Sequence, residues 1–301
     1  MLTRRAFAQA AVGACVSGVL RADAPAALET RPIPATGERL PVIGLGTYIG
    51  FDLTADDPRW GEARRVLGTL VARGGRVVDT SPDYGAAEAA TGRLARELGI
   101  VEQLFVASKI AAIGREAGIA QLERMRREFG VDRLDLMQVH NLVDVETHLA
   151  TLAEWKAEGR LRYVGVTHYL ESAYGDLART IERHRIDFVQ VNYSVAERAA
   201  AARILPLARE RGMGVIVNRP FAAGELFAKL RSRALPAWAA DIGCTSWAQV
   251  LLKYVLANPA VTCAIPGTRD VGHLIDDLGA GTGALPDAPL CRRIEAEIAA
   301  V

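Results

Sequence analysis

Eight short runs of apolar, mostly β-branched residues recur along this chain, each followed by a longer polar-apolar stretch. That alternation restricts the fold more than any other feature. The runs are "PVIGLGTY" (41–48), "RVVDTS" (76–81), "LFVASKI" (104–110), "LDLMQVHN" (134–141), "LRYVGVTH" (161–168), "FVQVNYS" (188–194), "GVIVNRP" (214–220) and "VTCAIPGT" (261–268). Between them, segments such as "EARRVLGTLVARGG", "EAATGRLAREL" and "VETHLATLAEWKAEG" repeat apolar residues every three or four positions, as a helix facing a core requires. Several end in glycine ("ARGG", "ELG", "EFG", "AEG", "ERG"), a common helix stop. Strands apolar on both faces belong to a parallel sheet covered by helices. Eight such units predict a single-domain α/β fold, a closed (β/α)8 TIM barrel over residues 27–301, rather than an open doubly wound sheet. The 301-residue chain has room for one such barrel, which takes about 250 residues. No G-x-G-x-x-G follows any strand, and "GLGTYIG" (44–50) lacks that spacing, so a Rossmann nucleotide site is unsupported.

Charge excludes several classes of partner. With 36 Lys+Arg against 35 Asp+Glu, the chain has no basic footprint for nucleic acid or an anionic membrane. Its four cysteines, Cys15, Cys244, Cys263 and Cys291, lack disulfide-framework or metal-ligand spacing and read as free thiols. No metal site is expected. The first 26 residues stand apart from the fold. "TRRAF" precedes a weakly apolar run from Ala8 to Leu20 and then Ala22-Asp23-Ala24, which resembles a twin-arginine export signal with cleavage after Ala24 or Ala26. That reading makes export machinery a partner and the periplasm the destination. The other readings are a cytoplasmic protein with an amphipathic or disordered extension, and a lipoprotein box at "VGAC" (12–15), whose preceding apolar run is short. Nothing approaches the roughly 20 apolar residues of a membrane span, so no stable membrane insertion is expected.

In a barrel of this kind the working residues sit where the strands end. Asp79 ends the second strand, with Tyr84 in the loop beyond it. Lys109 ends the third strand and His140 the fourth. Thr167 and His168 end the fifth, Gln190 and Asn192 lie in the sixth, and Asn218 and Arg219 end the seventh. Taken singly, each has a structural explanation: a strand-end Asp caps a turn, and a strand-end His is commonly a satisfied packing residue. Together, Asp79, Tyr84, Lys109 and His140 converge on one rim, where an isolated lysine would be costly to desolvate.

These four make a coherent proton donor. A phenol titrates near 10, and the Lys109 ammonium is expected to bring Tyr84 down toward a useful range. Asp79 compensates the lysine, and His140 donates a hydrogen bond to a substrate oxygen. A tyrosine acid without metal suits carbonyl reduction, in which hydride reaches carbon while Tyr84 protonates oxygen. The hydride donor has to be a cofactor, a nicotinamide. Trp60 and Tyr169, beyond the first and fifth strands, are candidate walls of a substrate pocket. Trp155, Trp247 and Tyr254 read as packing, and His148 and His184 as exposed helix residues.

The segments "GGRVVDTSPDYGAAEAATG", "FVASKI", "LDLMQVHN", "GRLRYVGVTHY" and "AIPGTRDVGHLIDDL" occur in the order found in the aldo/keto reductase family, which the chain resembles from about residue 30 to 295. The resemblance implies an NADP-dependent reductase of aldehydes or ketones with Asp79, Tyr84, Lys109 and His140 as its catalytic set. It further implies that Gly46, Thr47 and Tyr48 line the nicotinamide end, and that Gln190, Thr167 and His168 hold the carboxamide, where Thr-His replaces the commoner Ser-Asn. Asn218 stands where an aromatic usually stacks on the nicotinamide, a role that Phe221 is positioned to inherit. Pro266, Gly267, Thr268 and Arg269 form the phosphate segment, with Gly267 at a common lysine position and Arg269 as the 2′-phosphate ligand. His273 and Asp277 replace an Arg and an Asn on the adenine side, and an ionised Asp277 opposes phosphate. NADPH is the expected cofactor, with NADH possible. The competing functional reading is an NADP(H)-binding sensor or partner subunit with little turnover; a redox-inactive barrel is the third.

Overall fold

A two-stranded antiparallel hairpin, β1 (Thr30–Pro32) and β2 (Arg39–Pro41), precedes the barrel in this computed structural model, which describes residues 27–300. The predicted export segment, residues 1–26, lies outside the described residues. The barrel strands are β3 (Leu45–Gly46), β4 (Val77–Asp79), β5 (Phe105–Ile110), β6 (Leu134–His140), β7 (Leu161–His168), β8 (Phe188–Asn192), β9 (Gly214–Asn218) and β10 (Cys263–Ala264). They pair in parallel in the order β10-β9-β8-β7-β6-β5-β4-β3. Parallel bridges Ile43–Ala264 and Gly46–Gly267 join the two ends and close the ring. All eight predicted strands are present; the hairpin was not foreseen.

The outer layer follows the amphipathic segments. It comprises α1 (Trp60–Ala72), α2 (Ala87–Leu98), α3 (Arg115–Phe129), α4 (Val145–Ala157), α5 (Tyr174–Arg183), α6 (Ala199–Ala202) and α7 (Ile204–Glu210). It is completed by α8 (Glu225–Leu230), α9 (Trp247–Ala257), α10 (Val271–Gly279) and α11 (Ala288–Ala299). Helices α2 and α3 stop at Gly99 and Gly130, both left-handed with φ of 65° and 69°, the conformation a glycine adopts without a Cβ clash. Their apolar faces and the outward faces of the strands form one continuous core. Among the described residues, no helix is long and apolar enough to cross a membrane.

Inside the ring a second, separate cluster contains Ile33 and Leu40 of the hairpin with Val77, Phe105, Leu136, Tyr163, Phe188 and Ile216. The hairpin thus plugs the N-terminal mouth with two aliphatic side chains, held by Glu38, which pairs with Arg76 and Arg162. Side chains alternate along a strand, so the residues above this floor on the same inward face are Asp79, Lys109, Gln138, Thr167, Gln190 and Asn218. The sequence therefore places apolar residues low and polar ones high along each inward face. Gly165 lies in this layer, where a Cβ would meet Gln138 Cγ at 2.7 Å, leaving room for the glutamine to reach over β7.

One expectation fails in the helix layer. His148, expected on an exposed helix face, is fully buried, with its Nε2 paired with the Ala112 carbonyl at 2.7 Å. Gly118 on α3 makes the space, since a Cβ there would lie 2.5 Å from the His148 ring. Trp60 is the first residue of α1 and turns to α2, donating to Glu97 at 3.2 Å under the Arg93 guanidinium. Its partners lie on a neighbouring helix, not on the barrel rim, so a role as substrate-pocket wall finds no support in its contacts. Trp155 and Tyr254 are buried packing residues, as expected, and the three described cysteines are free.

Candidate active site

Asp79 is the last residue of β4 and Lys109 the fifth of β5, and both side chains point into the ring, where each is 2% exposed. Lys109 Nζ donates to Asp79 Oδ1 at 2.8 Å, to Oδ2 at 2.9 Å and to the Thr80 carbonyl at 2.7 Å. Burial alone would lower the lysine, but Asp79 and Tyr84 outweigh it and hold Lys109 above the ordinary lysine value. The ammonium is therefore fixed at neutral pH, with its three donors engaged.

Tyr84 follows in the turn "SPDYG", and its ring centroid lies 5.1 Å from Lys109 Nζ. His140, at the end of β6, sits edge-on to the Tyr84 ring with centroids 6.4 Å apart. The predicted four are thus brought together on one rim. One electrostatic expectation is reversed. Burial raises the Tyr84 phenol, and the opposing pull of Lys109 does not bring it below its ordinary value. Lys109 pulls the phenol down by its charge and by a side-chain hydrogen bond, and burial outweighs both. A phenol held up in this way is protonated at neutral pH, the state a proton donor needs.

The histidine has a partner that the sequence reading missed. Asp83 Oδ2 lies 2.8 Å from His140 Nδ1. Burial and then Lys109 lower His140, against Asp83 and Asp79. Gln138 is the other missed member; its amide donates to Gln190 Oε1 at 2.6 Å. Gln190 in turn donates to Asp79 at 3.3 Å, which ties the two glutamines to the ion pair. The alternation along β6, with Gln138 two residues before His140, is the signal that would have found it.

The remaining predicted residues surround this centre. Gly46 N donates to the Pro266 carbonyl at 3.0 Å, and a Cβ on Gly46 would meet the Ile265 carbonyl at the same distance. This close approach joins the first strand loop to the Pro266-Gly267-Thr268 segment. Tyr48 stands edge-on to Tyr84 with centroids 5.1 Å apart. Thr167 is buried, whereas His168 Nδ1 accepts from Leu170 N at 3.1 Å and its ring stacks on Tyr169. Phe221 is almost wholly buried, packed on Phe227 with centroids 4.7 Å apart, and the exposed ring is that of Phe227. Arg269 is exposed before α10 and makes no ion pair among the described residues. Asp277 is buried, and burial together with Asp276 pushes its carboxyl up to about 8. A carboxyl raised this far favours its protonated form at pH 7, which weakens the repulsion expected between Asp277 and a phosphate.

Backbone strain marks the same face. Every non-glycine residue with positive φ among the described residues, Asn141, Leu142, Asp144, Arg219, Ala222 and Ala223, lies in the loops after β6 and β9. Such conformations are costly and gather at functional sites. Four buried polar atoms at this end of the barrel, Thr47 Oγ1, Thr80 Oγ1, Gln138 Oε1 and Asn218 Oδ1, have no hydrogen-bond partner. An unpaired buried polar atom is unfavourable until a ligand or water satisfies it.

The Aldo/keto reductase family profile matches residues 42–291. The chain belongs to the aldo/keto reductase family. Among relatives of this reductase, "Aldo-keto reductase str7" from Strobilurus tenacellus is 26% identical over 283 residues, covering 80% of this chain and 81% of that protein. An aldo/keto reductase from Klebsiella pneumoniae, solved in complex with NADP and acetate, has a TM-score of 0.75 at 23% identity, covering 87% of this chain and 93% of that one. The glycerol dehydrogenase AKR11B4 from Gluconobacter oxydans has a TM-score of 0.73 at 21% identity, with 90% and 95% covered. At these identities the solved structures speak to the fold of the reductase barrel.

Proposed function

We propose that this protein reduces aldehydes or ketones to alcohols with NADPH. The observation that carries the reading is Tyr84, protonated and within 5.1 Å of a lysine that a buried carboxylate keeps charged, with His140 on the same rim. The residues fit a nicotinamide dinucleotide: Thr47 and Asn218 offer unsatisfied polar atoms, Arg269 an unpaired guanidinium, and Asp277, in its protonated form, a carboxyl able to donate and accept. When bound, that cofactor supplies hydride to the carbonyl carbon. Tyr84 gives its proton to the carbonyl oxygen, Lys109 stabilises the phenolate left behind, and Asp79 keeps the lysine in place. The exposed rim side chains Tyr48, Ile49, Ile113, Tyr169, Leu170 and Phe227 favour a substrate with an apolar body. Arg269 supports NADPH over NADH, since its guanidinium suits a 2′-phosphate.

The test titrates the protein with NADPH and then NADH by tryptophan fluorescence. An aromatic aldehyde is then added, with Tyr84→Phe in parallel. Binding with Tyr84-dependent turnover supports the reductase; binding without turnover makes the nucleotide sensor the better reading, and no binding removes both.

We further propose export by the twin-arginine route, to the periplasm, on the strength of "TRRAF" and the apolar run after it. That route carries folded proteins, so cofactor would be loaded in the cytoplasm before transport. Replacing Arg4 and Arg5 with lysine is expected to retain the protein in the cytoplasm; unchanged distribution between compartments would refute the route.

A further inference from the structure

Asp83 directly precedes Tyr84, its amide donates to Ser81 Oγ at 3.2 Å, and its carboxylate faces His140 Nδ1 at 2.8 Å. An ionised carboxylate only accepts hydrogen bonds, and a neutral imidazole carries one proton. At 2.8 Å that proton belongs on Nδ1. The other ring nitrogen, Nε2, has no protein hydrogen bond among the described residues and is then a bare lone pair. We infer that Asp83 is a positioning residue that holds the proton of the neutral His140 ring on Nδ1, so that Nε2 donates to a substrate carbonyl oxygen only when the ring is the imidazolium. No bond to His140 forms or breaks; Tyr84 remains the group that exchanges the proton.

The charges facing the ring come from three elements. Asp83 and Tyr84 lie on the loop after β4, Asp79 ends β4, and Lys109 stands on β5. Burial and Lys109 favour the neutral ring, whereas Asp83 and Asp79 favour the cation. The net effect holds His140 below the ordinary histidine value. Moving the proton to Nε2 of the neutral ring would break a charge-assisted hydrogen bond, which disfavours that tautomer by about 10- to 100-fold. An asparagine at position 83 reverses the preference, because its amide can donate to Nδ1 and leave the proton on Nε2.

The inference rests on the carbonyl–alcohol reading above, and its first test does not need turnover. Ring 1H–15N correlations are recorded on the full chain without cofactor, His140 being assigned by its loss in His140→Gln. Above its titration, His140 is expected to carry the proton on Nδ1, and Asp83→Asn is expected to shift it to Nε2. A wild-type neutral ring protonated on Nε2 overturns the inference, whatever the activity. The second test follows reduction of an aromatic aldehyde from pH 5 to 9. Reduction is expected to fall by about 10- to 100-fold across the His140 titration, and Asp83→Asn to lose this dependence. Profiles of Asp83→Asn that superimpose on wild type overturn the inference. The Nδ1 tautomer in a protein that turns over no carbonyl would retain the role of Asp83 in setting the proton and remove the reductase reading instead. The Asp83 side chain is 53% exposed, so its replacement leaves the core intact.

Discussion

Replacing Lys109 with methionine separates the ion pair from the packing around it. Asp79 is 2% exposed, both its oxygens accept from Lys109 at 2.8 and 2.9 Å, and its other side-chain partner is Gln190 at 3.3 Å. Methionine fills much of the lysine stem's volume, so the lost interaction is mainly charge. Removing one partner of a buried pair costs about 3–5 kcal/mol. The cost has a ceiling, because Asp79 can take up a proton. From an unfolded value of about 3.9, neutralising it costs about 4 kcal/mol at pH 7 and about 1.5 kcal/mol at pH 5.

The direction with pH follows from where the proton binds. In the variant the folded Asp79 has a raised pKa, so the folded state holds a proton that the unfolded state releases above roughly pH 4. Stability is then fully present below the unfolded value and is lost as pH rises toward the folded one. In a chain of this size 1 kcal/mol moves the midpoint by about 2 °C. The melting temperature of Lys109→Met relative to wild type should thus fall by roughly 8 °C at pH 7 and 3 °C at pH 5, and match it near pH 4. Thermal melts followed by far-ultraviolet circular dichroism at the three pH values check this. A deficit of the same size at every pH would mean that packing, not the stranded carboxylate, accounts for the loss, and the electrostatic reasoning would fail.

Tyr84→Phe should lower carbonyl reduction by about 10²- to 10⁴-fold, the share of a positioned acid, while NADPH affinity by fluorescence changes little. Asp277→Asn removes a carboxyl whose folded value of about 8 lies above its unfolded one. Its stabilising effect should therefore be absent below pH 4, grow as pH rises to 8, and reach on the order of several kcal/mol, read from urea midpoints. Gly118→Ala places a Cβ 2.5 Å from the His148 ring and should cost about 1–3 kcal/mol; adding His148→Ala should remove the clash, and additive losses would contradict it.

What was legible in the sequence is what repeats along it. The eight strands show themselves by apolar runs, and the four candidate catalytic side chains by standing at or just beyond the ends of those runs. The partners of those side chains were harder to see because they arrive from other strands and loops. Gln138 of β6 reaches over β7 to Gln190 of β8, which Gly165 of β7 permits by lacking a Cβ. Lys253 looks like any polar residue of a helix, yet it is fully buried and donates to the carbonyls of Ile242, Thr282 and Ala284. Nothing local distinguishes it, since its acceptors are backbone atoms of two distant turns. Phe221 and Phe227 likewise read as interchangeable aromatics until the turn after β9 buries one and exposes the other.

The upward shift of Tyr84 and the carboxylate beside His140 act in the same direction. Reduction uses a protonated phenol and a donor histidine; alcohol oxidation, through the same transition state, uses a phenolate and the same donor histidine. Burial keeps the phenol protonated through neutral pH, and Asp83 allows His140 to donate only when the ring is charged. Lowering the pH therefore favours reduction through both groups. The two effects differ in where they occur, since the histidine changes state at a lower pH than the phenol. Asp83→Asn should erase the lower limb of the pH profile and leave the upper limb, which belongs to Tyr84, in place. A profile in which both limbs moved together would mean that His140 and Tyr84 titrate as one coupled unit, and that Asp83 acts on the phenol as much as on the imidazole.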